Sequence, residues 1–240
     1  MTPVTITAHL RQPAVVNHPP MLDALLYVGL HRLLQQLRPD EYPTPVAEPR
    51  IFALPLPLAR VEQGGRWWWA ASQATPTGPE AVRHEHRRPP VDAYIAYQAG
   101  DRISKVDLAA GPDKGLRTPL HTRPGWMSPT WTAVLDPAGV ADVATLLAVP
   151  AEPMNLLRLL LDYVPGVGPR SGAGHGNIER WSVVESGPIL DRYATDVSLR
   201  HLPASLELAM PKVGRVIRTE IPLRPPYYAG DRVACLQVRP

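Results

Sequence analysis

Residues 164–184 read VPGVGPRSGAGHGNIERWSVV. The twelve residues from Pro165 to Gly176 hold five glycines, two prolines, an arginine and a histidine. They follow the most helical run of the chain, Pro153 to Val164 (PMNLLRLLLDYV), and lead into Ile178 to Glu185 (IERWSVVE), which alternates like a strand. A helix C-cap explains one glycine, Gly166, but not five. The stretch lacks the Gly-Lys-Ser/Thr ending of a nucleotide-triphosphate loop. A dinucleotide fingerprint would need a third glycine where Ser171 stands, and a strand rather than a helix before it. What remains is backbone chemistry. Glycines let the main chain approach a ligand and allow successive N–H groups to converge on an anion. The sequence therefore predicts that Gly166, Gly168, Arg170, Ser171, Gly172, Gly174, His175 and Gly176 bind a phosphate backbone. Arg170 supplies a fork of donors and Arg180 lies just beyond. Trp181 alternates with Arg180 and is expected to face the core.

Outward from this loop, Val4 to Leu10 is β-branched and alternating, a first strand. Asn17-His-Pro-Pro opens a helix that ends near Leu37, with leucines recurring at three- and four-residue steps. Pro20 is expected in its first turn, and Asp23 suits the helix dipole there. Ile51 to Arg60 and Arg66 to Thr75 flank a Gln63-Gly64-Gly65 turn and read as a hairpin. Trp131 to Leu135 reads as a short strand, Gly139 to Val149 as a helix. The tail offers strand-like pieces at Val197 to Leu202, Val213 to Ile221 and Arg232 to Val238. With the short Trp131 strand left out, the order is β-α-β-β-α-β. This is an α+β, ferredoxin-like (RRM-like) core over 1–75 and 130–186, with an insertion at 76–129 and a β extension at 187–240. The insertion is long, proline-rich and basic. Segments of that kind in compact domains are usually functional or flexible.

The chain has 240 residues, a formal charge of +3 and one cysteine, Cys235, which excludes an internal disulfide and a cysteine-rich zinc site. The mild basicity permits a polyanionic partner without demanding one. His84-Glu85-His86 is not a metal-ligand spacing with supporting partners, so neither metal nor cofactor is assigned. No apolar run is long enough to cross a bilayer and the start has no signal pattern. A soluble cytoplasmic protein without membrane contact is expected.

The layout resembles the RAMP superfamily of CRISPR proteins, and within it the type IV subunit that caps the 5′ handle of the guide RNA. Four pieces carry the likeness: HPPMLDALL (His18 to Leu26), the glycine loop with its following strand (Gly166 to Trp181), LRHLP (Leu199 to Pro203) and RPPYY (Arg224 to Tyr228). The family's loop usually opens Gly-Lys-Lys-Arg and continues Gly-Tyr-Gly. Here it reads Gly168-Pro169-Arg170-Ser171 and Gly174-His175-Gly176, which implies a weaker phosphate grip. The resemblance implies that the insertion is a thumb along the guide, with Arg83, Arg87, Arg88, Lys105, Lys114, Arg117 and His121 on RNA phosphates. It also implies partners: the crRNA, CRISPR backbone subunits, large or processing subunits and, indirectly, target nucleic acid. His18 and Arg224 join the expected RNA contacts, and Tyr227 or Tyr228 could stack bases. The expected role is non-catalytic. One alternative is a metal-independent endoribonuclease with His18 and His175 facing each other across one RNA strand. Another is a generic ferredoxin-like RNA-binding module, although the aromatic sheet signature of such modules is absent.

Overall fold

The computed structural model describes residues 2–16, 19–42, 54–77, 82–88, 109–110, 116–117, 121–168, 176–186, 193, 196–206, 208, 215–225, 227 and 231–239. The elements, in chain order, are β1 (Val4–Val16), α1 (Leu22–Leu37), β2 (Arg60–Gln63), β3 (Arg66–Trp69), β4 (Thr75–Pro76), β5 (Val82–Arg88), β6 (Ala109–Ala110), β7 (Leu116–Arg117), β8 (His121–Leu135), α2 (Val140–Leu147), α3 (Pro153–Asp162), β9 (Ile178–Glu185), β10 (Leu202–Pro203), β11 (Arg215–Ile221) and β12 (Val233–Arg239).

The architecture is α+β with antiparallel sheets, compatible with a ferredoxin-like arrangement. The main sheet runs β4-β8-β1-β9, with β5 also paired to β8. Period-two alternation in β1 buries Val4, Ile6, Ala8 and Leu10 and leaves Thr5, Thr7 and His9 half-buried. The buried row meets Leu22, Leu26, Leu30, Leu33 and Leu34 of α1 and Leu156, Leu157, Leu160 and Leu161 of α3 in one core. The two helices approach closely at Gly29, where a Cβ would lie 2.2 Å from the Leu160 carbonyl oxygen. Met21 has no capping side chain. The Leu22 N–H instead donates to the Ser72 carbonyl at 3.0 Å, tying the helix start to the chain leaving β3.

A second core gathers Val61, Trp68, Ala70, Tyr193, Leu202, Leu223 and Cys235, with Val134 of β8 against it. It joins the β2–β3 hairpin to the C-terminal sheet β10-β12-β11. The thiol of Cys235, buried there, has its pKa pushed up to about 11.

Several expectations need correction. The hairpin exists, with Gly64 and Gly65 at φ 59° and 71°, the double left-handed turn that a two-residue loop requires. It spans only 60–69 and forms its own two-stranded sheet. The main-sheet strands between the two halves of the core are instead β4, β5 and β8. The Trp131 strand, left out of the expected order, is the middle of the sheet: Val4 to His9 pair with Leu135 to Thr130. It also begins at His121, so that β5 and residues 121–127 form an antiparallel ladder at the base of the insertion. The Val197 to Leu202 segment contributes a strand only at 202–203. Pro20 precedes the N-cap rather than sitting in the first turn.

Candidate nucleic-acid interface

Three of the four motif pieces noted in the sequence meet in the interior. Asp23, at the start of α1, and Arg200 both have fully buried side chains, with Nη2 of Arg200 3.6 Å from the carboxylate. The Tyr227 hydroxyl donates to both carboxylate oxygens, at 2.9 and 2.7 Å. It accepts from Arg200 at 3.3 Å. The same guanidinium donates to the carbonyls of Trp69, Ala71 and Leu223. Burial raises the Asp23 carboxyl pKa, against the pull of Arg200 and the Tyr227 donor. Burial, then the Asp23 charge, raises the Tyr227 phenol well above its usual range. His201 stacks edge-on to Tyr227 and meets the Pro222 carbonyl at 3.1 Å. Burial and the Arg200 charge lower its pKa to about 3. These motifs therefore tie the C-terminal segment to α1 and the hairpin. Tyr227, expected at RNA, has its hydroxyl committed inward.

The other face of the main sheet is polar. Thr7 and Thr132 share a hydroxyl contact at 3.1 Å, and Thr132 and Thr77 another at 3.2 Å. His9, in the next row opposite Arg180, has its Nε2 2.9 Å from the hydroxyl of Ser182, which pairs with Thr7 and also accepts from exposed Arg180 at 3.3 Å. Burial, followed by the charge of Arg180 and against that of Glu179, lowers the His9 pKa. The shift favours the neutral imidazole, which offers one donor and one acceptor. In sequence these rows show only as alternation: Thr7 and His9 of β1 face Thr132 and Thr130 of β8 and Ser182 and Arg180 of β9, while Val134 and Val184 close the face beside Thr5.

This face lies beside the root of the glycine loop. The β1–β8 register shifts between His9 and Ala14, around Pro13, which has no N–H to give to a ladder. The freed strand bonds the loop instead. The Arg11 N–H donates to the Asn177 carbonyl at 2.9 Å and the Gly176 N–H to the Gln12 carbonyl at 3.1 Å. Gly166 bridges to Asn177, and the Val167 N–H reaches the Gly176 carbonyl at 2.9 Å. Gly176, at φ 74°, leaves no room for a side chain: a Cβ would lie 2.0 Å from the Val167 oxygen. Both ends of the loop are thus pinned to one spot, two or three residues along β1 from His9. Beyond the register shift, the rows shared with the base of the insertion begin at Met127, which pairs with Val15 on one side and Val82 on the other.

Of the expected RNA contacts, Gly166, Gly168, Gly176 and Arg180 fall at this root. Arg170, Ser171, Gly172, Gly174, His175, His18, Lys105 and Lys114 lie outside the described residues. For Arg83, Arg87, Arg88, Arg117 and His121 only the strand backbone is described: Arg83 opposes Trp126, Arg87 opposes Thr122 and Arg88 opposes His121, while Arg117 opposes Ala109. Arg224 is exposed, with its guanidinium 4.0 Å from the centre of the Trp67 ring. Trp181 faces inward as expected, its indole N–H donating to the Leu161 carbonyl at 2.9 Å. Among the described residues no cluster of three or more His, Cys, Asp or Glu could hold a metal ion. No helix among them is long and apolar enough to cross a membrane.

An antiparallel α+β core with a glycine-rich loop entering the last strand of its main sheet fits the RAMP-type subunits of CRISPR systems. The chain belongs to the family of CRISPR type IV associated protein Csf3, whose model matches residues 2–238. Among solved structures it is similar to a chain of a CRISPR RNA-guided surveillance complex. The identity is 13% over 78% of this chain and 72% of that one, with a TM-score of 0.32, a likeness too loose to carry an argument. No curated protein matches the chain.

Proposed function

We propose that this chain is a non-catalytic subunit of a type IV CRISPR effector complex, holding the 5′ handle of the crRNA and anchoring the other subunits. Its main sheet is then read as the ferredoxin-like core of a RAMP protein. In this reading β1, α1, the β4–β5 edge, β8, α3 and β9 are the six elements of β-α-β-β-α-β, and residues 89–120 extend the thumb. The observation that carries the proposal is the pinned glycine loop beside the polar face bearing Arg180, His9 and Ser182, in a chain of this family. Backbone N–H groups and an arginine position phosphates, and neutral donors and acceptors suit the 2′-hydroxyls and edges of splayed nucleotides. The thumb residues Arg83, Arg87, Arg88, Lys105, Lys114, Arg117 and His121 add phosphate contacts in this reading.

The test uses a labelled repeat RNA from the same locus, mixed with the protein without metal and run on native and denaturing gels. The proposal expects a shifted, intact RNA. A discrete cut that disappears in His175→Ala would replace it with the endoribonuclease reading.

A further inference from the structure

Away from the sheet face, the β2–β3 hairpin carries a second cationic feature. Arg60 and Trp69 oppose each other in the ladder, as do Glu62 and Trp67, and alternation puts Arg60, Glu62, Trp67 and Trp69 on one side of the hairpin. The Arg60 guanidinium lies 4.6 Å from the Trp67 ring centre and 5.4 Å from that of Trp69. Arg224, arriving from the C-terminal segment, lies 4.0 Å from the same Trp67 centre. Trp67 is half-buried and meets Trp69 edge-on at 5.0 Å, so the platform is rigid. Its second cation is also held in place. Leu223, the residue before Arg224, gives its carbonyl to the buried Arg200 at 3.0 Å. Both arginines are exposed, and among the described residues neither has a carboxylate within ion-pair distance. Exposed Glu62 is the nearest acid in the ladder and forms no such pair.

Two like charges converge on one indole, and among the described residues no carboxylate pairs with either. Ring faces attract guanidinium planes, which leaves the edge N–H groups pointing away with their hydrogen-bonding capacity unused. Such an edge matches a tetrahedral anion with several acceptor oxygens, and a stacked guanidinium loses little freedom on binding it. We propose that Arg60, Trp67 and Arg224 form a second RNA contact, a clamp for a backbone phosphate of the strand that continues beyond the handle. The proposal rests on the reading that the chain holds crRNA. It assigns Arg224 to the phosphate backbone through a stack that neither the RPPYY motif nor the hairpin sequence displays alone.

The experiment measures affinity by fluorescence anisotropy, across a salt series, for repeat RNA with a single-stranded oligouridine extension. Wild type, Arg60→Ala/Arg224→Ala, Arg60→Lys/Arg224→Lys and Arg170→Ala are compared, and melting temperatures report folding. The double alanine variant is expected to lose about tenfold in affinity and to flatten the log–log salt slope by about 0.7 to 1.4, the release expected for one or two phosphates. The lysine pair, which keeps charge and fold but loses the planar fork, is expected to keep most of the slope and part of the affinity. Wild-type affinity and slope in the double alanine variant, with Arg170→Ala weakened, would overturn the clamp and leave the handle reading standing. Binding of polyglutamate that depends on the two arginines, with RNA binding unaffected, would overturn RNA as the ligand. No RNA binding by wild type would overturn both.

Discussion

At the scale of single residues, Asp23 shows how a motif can be visible while its purpose is not. In sequence it sits in a helix first turn, where a carboxylate favours the dipole. In the fold it is buried against Arg200 and Tyr227, partners drawn from the far end of the chain. No local pattern reports a contact across that separation, so the link from the Tyr227 hydroxyl to Asp23 was not legible in the sequence. Removing one partner of a buried ion pair strands the other. Asp23→Ala is therefore expected to cost about 3–5 kcal/mol in urea unfolding. Tyr227→Phe is expected to cost about 1–3 kcal/mol by removing a buried donor. A Tyr227→Phe protein of undiminished stability and impaired RNA binding would contradict this structural role and favour the expected RNA contact. His201 gives a pH signature. Its pKa falls from an ordinary 6.5 to about 3 on folding, so the unfolded chain binds its proton first. The stability it supplies is complete above pH 6.5 and is lost as pH falls toward 3. By linkage the loss is about 2–3 kcal/mol by about pH 4.5. His9 and His31, also lowered, act in the same direction, while the raised Asp23 acts against it. His201→Gln should shrink the difference between urea midpoints at neutral and acid pH, and an unchanged difference would contradict the assignment.

At the scale of elements, α1, α2, α3 and β1 were legible because their burial follows 3.6- or two-residue periods, and β9 from its residue types alone. The middle of the main sheet was not. A Gly64-Gly65 turn is a strong local signal and the hairpin it makes is real, but pairing partners for β1 are chosen by long-range packing. β8 carries Pro124, Gly125 and Pro129, which read as breakers. The chain accommodates Pro129 at the irregularity, where the Ser128 hydroxyl accepts from the Thr130 N–H at 3.2 Å and donates to its carbonyl at 2.7 Å. Two glycines test how elements meet. Gly29→Ala puts a methyl into the Leu160 carbonyl and should cost about 1–3 kcal/mol through overpacking, read as a lower melting temperature. Gly176→Ala drives a Cβ into the Val167 oxygen at a positive φ. It should unpin the glycine loop and weaken RNA binding by more than it lowers the melting temperature. An equal loss of both would make the loop a structural turn.

At the scale of the whole molecule, two cores are joined through one buried arginine, and the polar face between loop root and insertion root is the surface the proposed function uses. That face was half legible: Arg180 and the glycines were marked by sequence, but the Thr7, Thr132, Thr77, His9 and Ser182 rows required the strand register. The central claim is that the sheet face and the loop at its edge hold RNA together. The most direct measurement is the affinity of repeat RNA for Arg180→Ala beside wild type over a salt series. Arg180 is exposed, so the variant should melt with the wild type. The account predicts weaker binding and a salt slope lower by about 0.7, the share of one single-strand phosphate. Wild-type affinity and slope in a normally folded Arg180→Ala protein would contradict it.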